Sequence, residues 1–207
     1  MREYIYYSKS ALTTGNFDLT NLMKAGRMDI ACNIIISAFF ISHAVRKDIK
    51  LHLIFDGPPN APAHLIFEYD NDMPISKKDA AGLIKRMLYK LPRKQGIKRG
   101  VFPGCSIEKK SFEALVKELN KEGKNIFILD ERGEDIRSIK FKGDEVLIIG
   151  DQDGFPPEKK KFLKQIDKIS VGPKIYFASQ VITLINNELD RQIKSEEEER
   201  RLEENFG

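Results

Sequence analysis

Three short apolar runs in the second half of the chain constrain the fold more than any other feature. Residues 125–129 (NIFIL), 145–149 (EVLII) and 168–171 (KISV) are each too short for a helix, and glycine-bearing polar loops stop all three abruptly. Runs of this kind read as strands buried on both faces, which belong in a parallel sheet covered by helices. Helical patterns alternate with them: residues 112–119 before the first, the Lys-rich stretch after Pro156 and Pro157 before the third, and residues 176–193 after it. The alternation predicts an α/β architecture. Three loops then stand at strand ends, LDERGED (129–135), GDQDGFPP (150–157) and VGPKIYFASQ (171–180). Ligands of open α/β sheets collect beyond the carboxyl ends of strands, so these loops are expected to converge on a pocket. None of them contains G-x-G-x-x-G or G-x-x-x-x-G-K-[ST], which disfavours the common nucleotide-binding loops.

The first half supplies the rest of the sheet. Residues 2–8 alternate as a strand, and 28–46 (MDIACNIIISAFFISHAVR) form a helix apolar on most faces and therefore central. Residues 51–55 and 64–69 are strands joined by the stiff DGPPNAPA connection, and 76–91 is an amphipathic helix. Residues 92–106 (PRKQGIKRGVFPGCS) lack periodicity and are expected to be a long basic loop. With 207 residues and a 41% hydrophobic fraction, the chain is expected to form a single domain over 1–193 with an acidic tail at 194–207. That tail, with three basic and six acidic residues, contributes −3 to a net charge of +4 and leaves +7 on the body, a balance suited to a polyanionic partner. No apolar run approaches the ~20 residues that span a bilayer and the N-terminus lacks a signal-peptide core, which points to the cytoplasm. Cys32, Cys105, His43, His52 and His64 show neither disulfide nor zinc spacing, so no metal is expected.

Taken together and in order, AGRMDIACNIIISAFFISHAVRKD, FDGPPNAP, NIFILDERGEDI, VLIIGDQDGF and ISVGPKIYFASQVITLINNELD resemble the archaeal tRNA pseudouridine-54 N1-methyltransferase family, part of the knotted SPOUT class of S-adenosylmethionine-dependent RNA methyltransferases. The similarity runs from about Arg2 to Arg191. It implies a SPOUT-type α/β knot: a mostly parallel sheet with helices on both faces and a C-terminal trefoil knot whose loops hold S-adenosylmethionine. It also implies a homodimer packed through the knot and the last helix, with the T-arm of tRNA as partner. Carried onto matching positions, the cofactor residues are Leu129, Gly150, Gly154, Val171, Gly172, Tyr176, Ala178 and Val181. Gly150 and Gly154 are expected to be small because the adenosyl group and the chain crossing leave no room. Many relatives carry Cys where Val181 stands, and Val181 is read as packing beside the cofactor.

Methyl transfer to a ring nitrogen needs alignment above all, and a carboxylate to orient the nitrogen or take its proton. Asp29 is the candidate for that role, with Arg27 two residues before it contacting base or phosphate, and His43 the next catalytic candidate. His43 and Arg46 are expected to share a face near the far end of the long helix, with Arg46 contacting RNA and Asp48 paired to it. Asn60, between prolines, is placed to read a base edge, and Arg93, Lys98 and Arg99 to bind phosphates. Two alternatives stay open: an rRNA pseudouridine N1-methyltransferase of ribosome biogenesis, and a non-catalytic RNA-binding module of the same fold.

Overall fold

A computed structural model describes the backbone of residues 1–206 and the side chains of residues 1–194. In chain order the elements are β1 (Arg2–Ser8), α1 (Met28–Phe39), β2 (Ile49–Phe55), β3 (Ala63–Glu68), α2 (Ala80–Leu88), β4 (Lys98–Phe102), β5 (Cys105–Glu108), α3 (Phe112–Lys121), β6 (Asn125–Asp135), β7 (Glu145–Gly150), α4 (Pro157–Leu163), β8 (Asp167–Ser170) and α5 (Ala178–Phe206). The strands form one sheet in the order β4-β5-β3-β2-β1-β7-β6-β8. The contacts among β2, β1, β7, β6 and β8 are parallel, while β3, β5 and β4 extend the sheet antiparallel from β2. The sheet is therefore mostly parallel.

Side chains alternate across each strand, so β1 sends Tyr4 and Tyr6 to one face and Ile5 and Tyr7 to the other. On the first face α1, α2 and α5 cover Leu51, Leu53, Leu147 and Ile149; on the second α3 and α4 cover Ile54, Ile128, Val146 and Ile148. Both faces carry helices, which explains why the central runs are apolar at every position. Helix α1 buries Met28, Ala31, Cys32, Ile34, Ile35, Ala38 and Phe39 between the sheet and α5. Local signals set other helix starts. The Ser111 hydroxyl accepts from the Ala114 N–H at 3.2 Å to open α3, and Pro157 occupies the first turn of α4.

Three expectations are corrected. The long helix stops at Phe39 rather than continuing to residue 46, because Phe40 turns extended and pairs with Val45 around a tight turn. His43 and Arg46 therefore share no helix face. Residues 92–106 are not one loop: Lys98–Phe102 and Cys105–Glu108 form a hairpin turning at Gly104, and β5 pairs with β3. An exposed edge strand has no buried face to impose an apolar alternation, which hid β4 from its sequence. Finally, LDERGED is the continuation of β6, which bulges after Leu129 and rejoins β8 at Glu134 and Asp135. The acidic tail at 194–207 lies almost wholly outside the residues with described side chains, although α5 runs to Phe206.

Candidate active site

The parallel strands point their carboxyl ends to one edge of the sheet. Pairings Tyr7 with Gly150, Ile128 with Ile148 and Leu129 with Ile169 bring the ends of β1, β7, β6 and β8 level, so the three loops adjoin. Leu129, Val171, Tyr176 and Ala178 are half-buried apolar residues resting on the core, with Val181 buried behind them. Gly172 lies beside Tyr176, whose hydroxyl would be 3.5 Å from an added Cβ. A surface of this kind, apolar side chains edged by backbone groups at strand ends, fits a cofactor with an aromatic base and a polar tail.

The glycines divide by cause. A Cβ on Gly150 would stand 3.0 Å from the Phe155 ring and 3.4 Å from the Gly154 Cα, so this position is small because its own loop folds over it. Gly154 has a left-handed backbone at φ +68, a conformation that itself calls for glycine. Gly133 was not anticipated. Its added Cβ would lie 2.5 Å from the backbone of Ile169, where the bulged β6 passes close to β8.

Asp151, also unanticipated, ties two strand ends together. Its Oδ2 accepts from the Ser8 hydroxyl at 3.2 Å and the Lys9 N–H at 3.0 Å, and its Oδ1 from the Asp153 N–H at 3.0 Å. Burial pushes its pKa up against those three bonds. A carboxylate directly after the terminal glycine of a buried strand was the available signal. Phe155 is buried and stacks on Tyr7 with ring centroids 5.6 Å apart, which makes it a core residue.

The segment after β1 gathers the remaining candidates. Added Cβ atoms on Gly26 and Gly57 would strike the Ser10 carbonyl oxygen at 1.8 and 2.4 Å, so the start of α1 and the loop after β2 both press against residues 10–11. Asn60 donates its backbone N–H to the Thr13 hydroxyl at 2.7 Å and stays exposed. Arg27, at φ 63 and ψ 40, is the one non-glycine residue with positive φ among those described. Its Nε and Nη2 donate to the two carboxylate oxygens of Asp29 at 3.0 Å each. This fork holds the Asp29 carboxyl below its ordinary pKa and raises that of Arg27. The pair lies near the loop after β7, since the charge of Asp153 acts on Arg27, and the buried Tyr6 side chain lies within the fields of Asp151, Asp29 and Arg27. The Tyr6 hydroxyl, beside Ser8, makes no well-formed hydrogen bond among the described residues, and burial pushes its pKa up.

The basic residues fall into two groups. Lys98 pairs with Glu108, Glu108 with His64, His64 with Ile54, Ile54 with Tyr7 and Tyr7 with Gly150, so Lys98 lies on the same cross-strand row as the end of β7. Five strand spacings put the two about 24 Å apart. Arg93 and Arg99 are exposed at the same edge. Arg46 and His43 belong elsewhere. Helix α1 carries the chain about 18 Å from Arg27 before His43 is reached. Arg46 forks onto Asp190 at 2.9 and 2.6 Å while Arg2 bridges Asp190 and Asp48, so Asp48 pairs with Arg2 and not with Arg46. Within one chain His43 and Arg46 therefore stand apart from the Arg27–Asp29 fork.

The family model described as "Putative SAM-dependent RNA methyltransferase" matches residues 1–193. A tRNA (pseudouridine(54)-N(1))-methyltransferase of Methanococcoides burtonii is 34% identical over 93% of this chain and 98% of its own length. The chain belongs to the archaeal tRNA (pseudouridine(54)-N(1))-methyltransferase family. Relatives of the same name in Pyrococcus abyssi and Methanocaldococcus jannaschii are 34% and 32% identical, each over 98% of its own length. The fold matches the crystal structure of Archaeoglobus fulgidus Nep1 bound to S-adenosylhomocysteine with a TM-score of 0.62 at 14% identity, over 93% of this chain and 99% of that one. In this member of the methyltransferase family, no group of three or more His, Cys, Asp or Glu is placed to hold a metal, and no helix is long and apolar enough to cross a membrane, both among the described residues.

Proposed function

We propose that this chain methylates N1 of pseudouridine 54 in tRNA, as the names of its relatives say of them, and that it meets the tRNA at its T-arm. The observation that carries the assignment to residues is the Arg27–Asp29 fork, set in a left-handed turn near the loop after β7. When bound, S-adenosylmethionine supplies an already electrophilic methyl group. Leu129, Gly150, Val171, Gly172, Tyr176 and Ala178 would hold it, and what remains for the chain is to present the nitrogen in line, a positioning effect of ~7 kcal/mol or more. Asp29 accepts a hydrogen bond from N1–H, and because Arg27 keeps its basicity low, orientation outweighs proton removal in its role. Arg93, Lys98 and Arg99 neutralise phosphates of the same RNA, and Asn60 reads a base edge from its proline-flanked loop.

The finer architecture follows the same reading. Residues 1–193 act as one unit, with 194–207 appended. The close approach of Gly133 to Ile169 supports a C-terminal trefoil knot. Ile175 and Phe177, 85% and 75% exposed beside the cofactor loops, support a homodimer closed through that region. Action on tRNA sets the enzyme in the cytoplasm.

The deciding experiment is methylation of T-arm RNA carrying pseudouridine or uridine at the target position. Only the pseudouridine RNA should react, since uridine has its sugar on N1 and no proton there to replace. Equal reaction of both would overturn the chemistry, and binding of the cofactor without turnover would favour the non-catalytic module.

A further inference from the structure

Four adjacent strands each turn one titratable residue inward on the α3 side of the sheet: Glu3 on β1, His52 on β2, His64 on β3 and Glu108 on β5. All are buried, with the two histidines 3% and 1% exposed. They form an unbroken chain. His52 Nε2 lies 2.7 Å from Glu3 Oε1, His52 Nδ1 lies 2.8 Å from His64 Nε2, and His64 Nδ1 lies 3.0 Å from Glu108 Oε1. Lys50 and Lys124 stand 3.7 and 3.4 Å from Glu3, and Lys110 stands 3.0 Å from Glu108. Glu68 and Glu118, the latter on α3, face Lys50 and Lys110 in turn, and Lys98 on β4 adds positive charge toward His52.

Counting protons decides what this chain must hold. Two neutral imidazoles carry two ring N–H groups on four nitrogens. If both point outward to the carboxylates, the inner contact sets lone pair against lone pair at 2.8 Å, a repulsive arrangement at hydrogen-bond distance. If one points inward, a carboxylate faces a bare ring nitrogen at the other end. Three contacts therefore need three protons. We infer that Glu3, His52, His64 and Glu108 bind one proton beyond those of two neutral histidines, shared between the two rings, and that this charged chain cross-ties β1, β2, β3 and β5. The carboxylates do not hold the extra proton: burial works to raise Glu3 and Glu108, but the histidine bonds and neighbouring lysines outweigh it and keep both at about 2. Burial outweighs the carboxylate at each end and lowers both histidines, with His52 and Lys110 adding to the lowering at His64, so it is the donor count of the three contacts, and not the surroundings of either ring, that retains the shared proton.

The consequence is a stability optimum. In the unfolded chain both histidines titrate near about 6.5, whereas the folded pair holds one proton tightly and refuses the second. A proton retained by the three contacts leaves the folded pair only above the unfolded value, so its contribution is complete below about 6.5 and is lost as pH rises through its release. The second has a depressed folded pKa, so its contribution is present above about 6.5 and is lost as pH falls. On the alkaline side the folding equilibrium constant drops by up to about tenfold per pH unit until the pair deprotonates.

Two nearly isosteric variants change the count without emptying the site. In Glu108→Gln the amide N–H donates to His64 Nδ1, His64 Nε2–H to His52 Nδ1 and His52 Nε2–H to Glu3, which satisfies every contact with neutral rings; Glu3→Gln does the same from the other end. The test is nitrogen-15 NMR of protein labelled at the histidine rings, at pH 7, beside denaturant titrations from pH 7 to 8.5. Three ring N–H protons from His52 and His64 in the wild type, two in either variant, and a wild-type loss of stability with pH that the variants lack would support the shared proton. Two ring N–H protons in the wild type would overturn it, and that spectrum decides the matter even if neither variant folds. Wild-type and variant stabilities running parallel with pH would equally overturn it.

Discussion

Arg27 occupies a left-handed conformation that costs a side-chain-bearing residue about 1 kcal/mol or more, and the two-point bond to Asp29 is what it gains there. Strain of this kind at a strand-end cluster has a functional reading when the strained residue fixes its neighbour's orientation. The two residues should then fail differently. Asp29→Asn should slow single-turnover methylation of pseudouridine RNA by roughly 100-fold with cofactor affinity nearly unchanged; an undiminished rate would remove Asp29 from the chemistry. Arg27→Ala should weaken RNA binding and, if the guanidinium meets a phosphate, reduce the salt slope of binding by about one, measured by titration across ionic strengths. Asp151 has a structural task instead. Asp151→Ala leaves the Ser8 hydroxyl and the Lys9 and Asp153 N–H groups without their acceptor, and should lower unfolding free energy by about 2 kcal/mol in denaturant titrations.

Elements carry the next level of the site. The β4–β5 hairpin carries Lys98 and Arg99 at the sheet edge, Lys98 on the row that ends at Gly150 and Arg99 on the next. Replacing both by Ala should weaken T-arm binding at low salt while the rate from the bound complex stays the same, a split visible in single-turnover titrations. The β7 loop is tight by packing: Gly150→Val must displace the Phe155 ring, an overpacking cost of about 1–3 kcal/mol, and should weaken cofactor binding about tenfold or more by calorimetry. Sequence patterns located these elements unevenly. The runs within β6 and β7 were legible because burial on both faces leaves no choice of residue, whereas Lys98 and Arg99 read as loop because an edge strand has solvent on one side and no pattern to keep. Helix α1 looked longer than it is because the apolar run continues through Phe40 and Ile41, and only the Phe40–Val45 pairing reveals the stop.

At the scale of the molecule, the apolar surface of α5 is partly spent inside the chain. Val181, Ile182, Ile185 and Leu189 are buried against α1 and the sheet, so they are no reason for a dimer; the exposed Ile175, Phe177 and Leu184 are. Light scattering at micromolar concentration should give twice the chain mass, and Phe177→Ser should shift it toward the monomer. A wild-type monomer would exclude the shared interface.

What the sequence determined by itself was the alternation of buried strands and helices and the turns that close β7 and β8, because each is written in a local run of residues: burial demands apolar side chains, and sharp turns demand glycine. Tertiary structure alone decided which distant residues meet. Asp151 reaches Ser8 and Lys9, Gly133 approaches Ile169, Arg46 is taken by Asp190, and His52 finds His64. Each of these contacts depends on strand order and register, and register is set by the sum of packing over the whole sheet, which no single segment of the chain encodes.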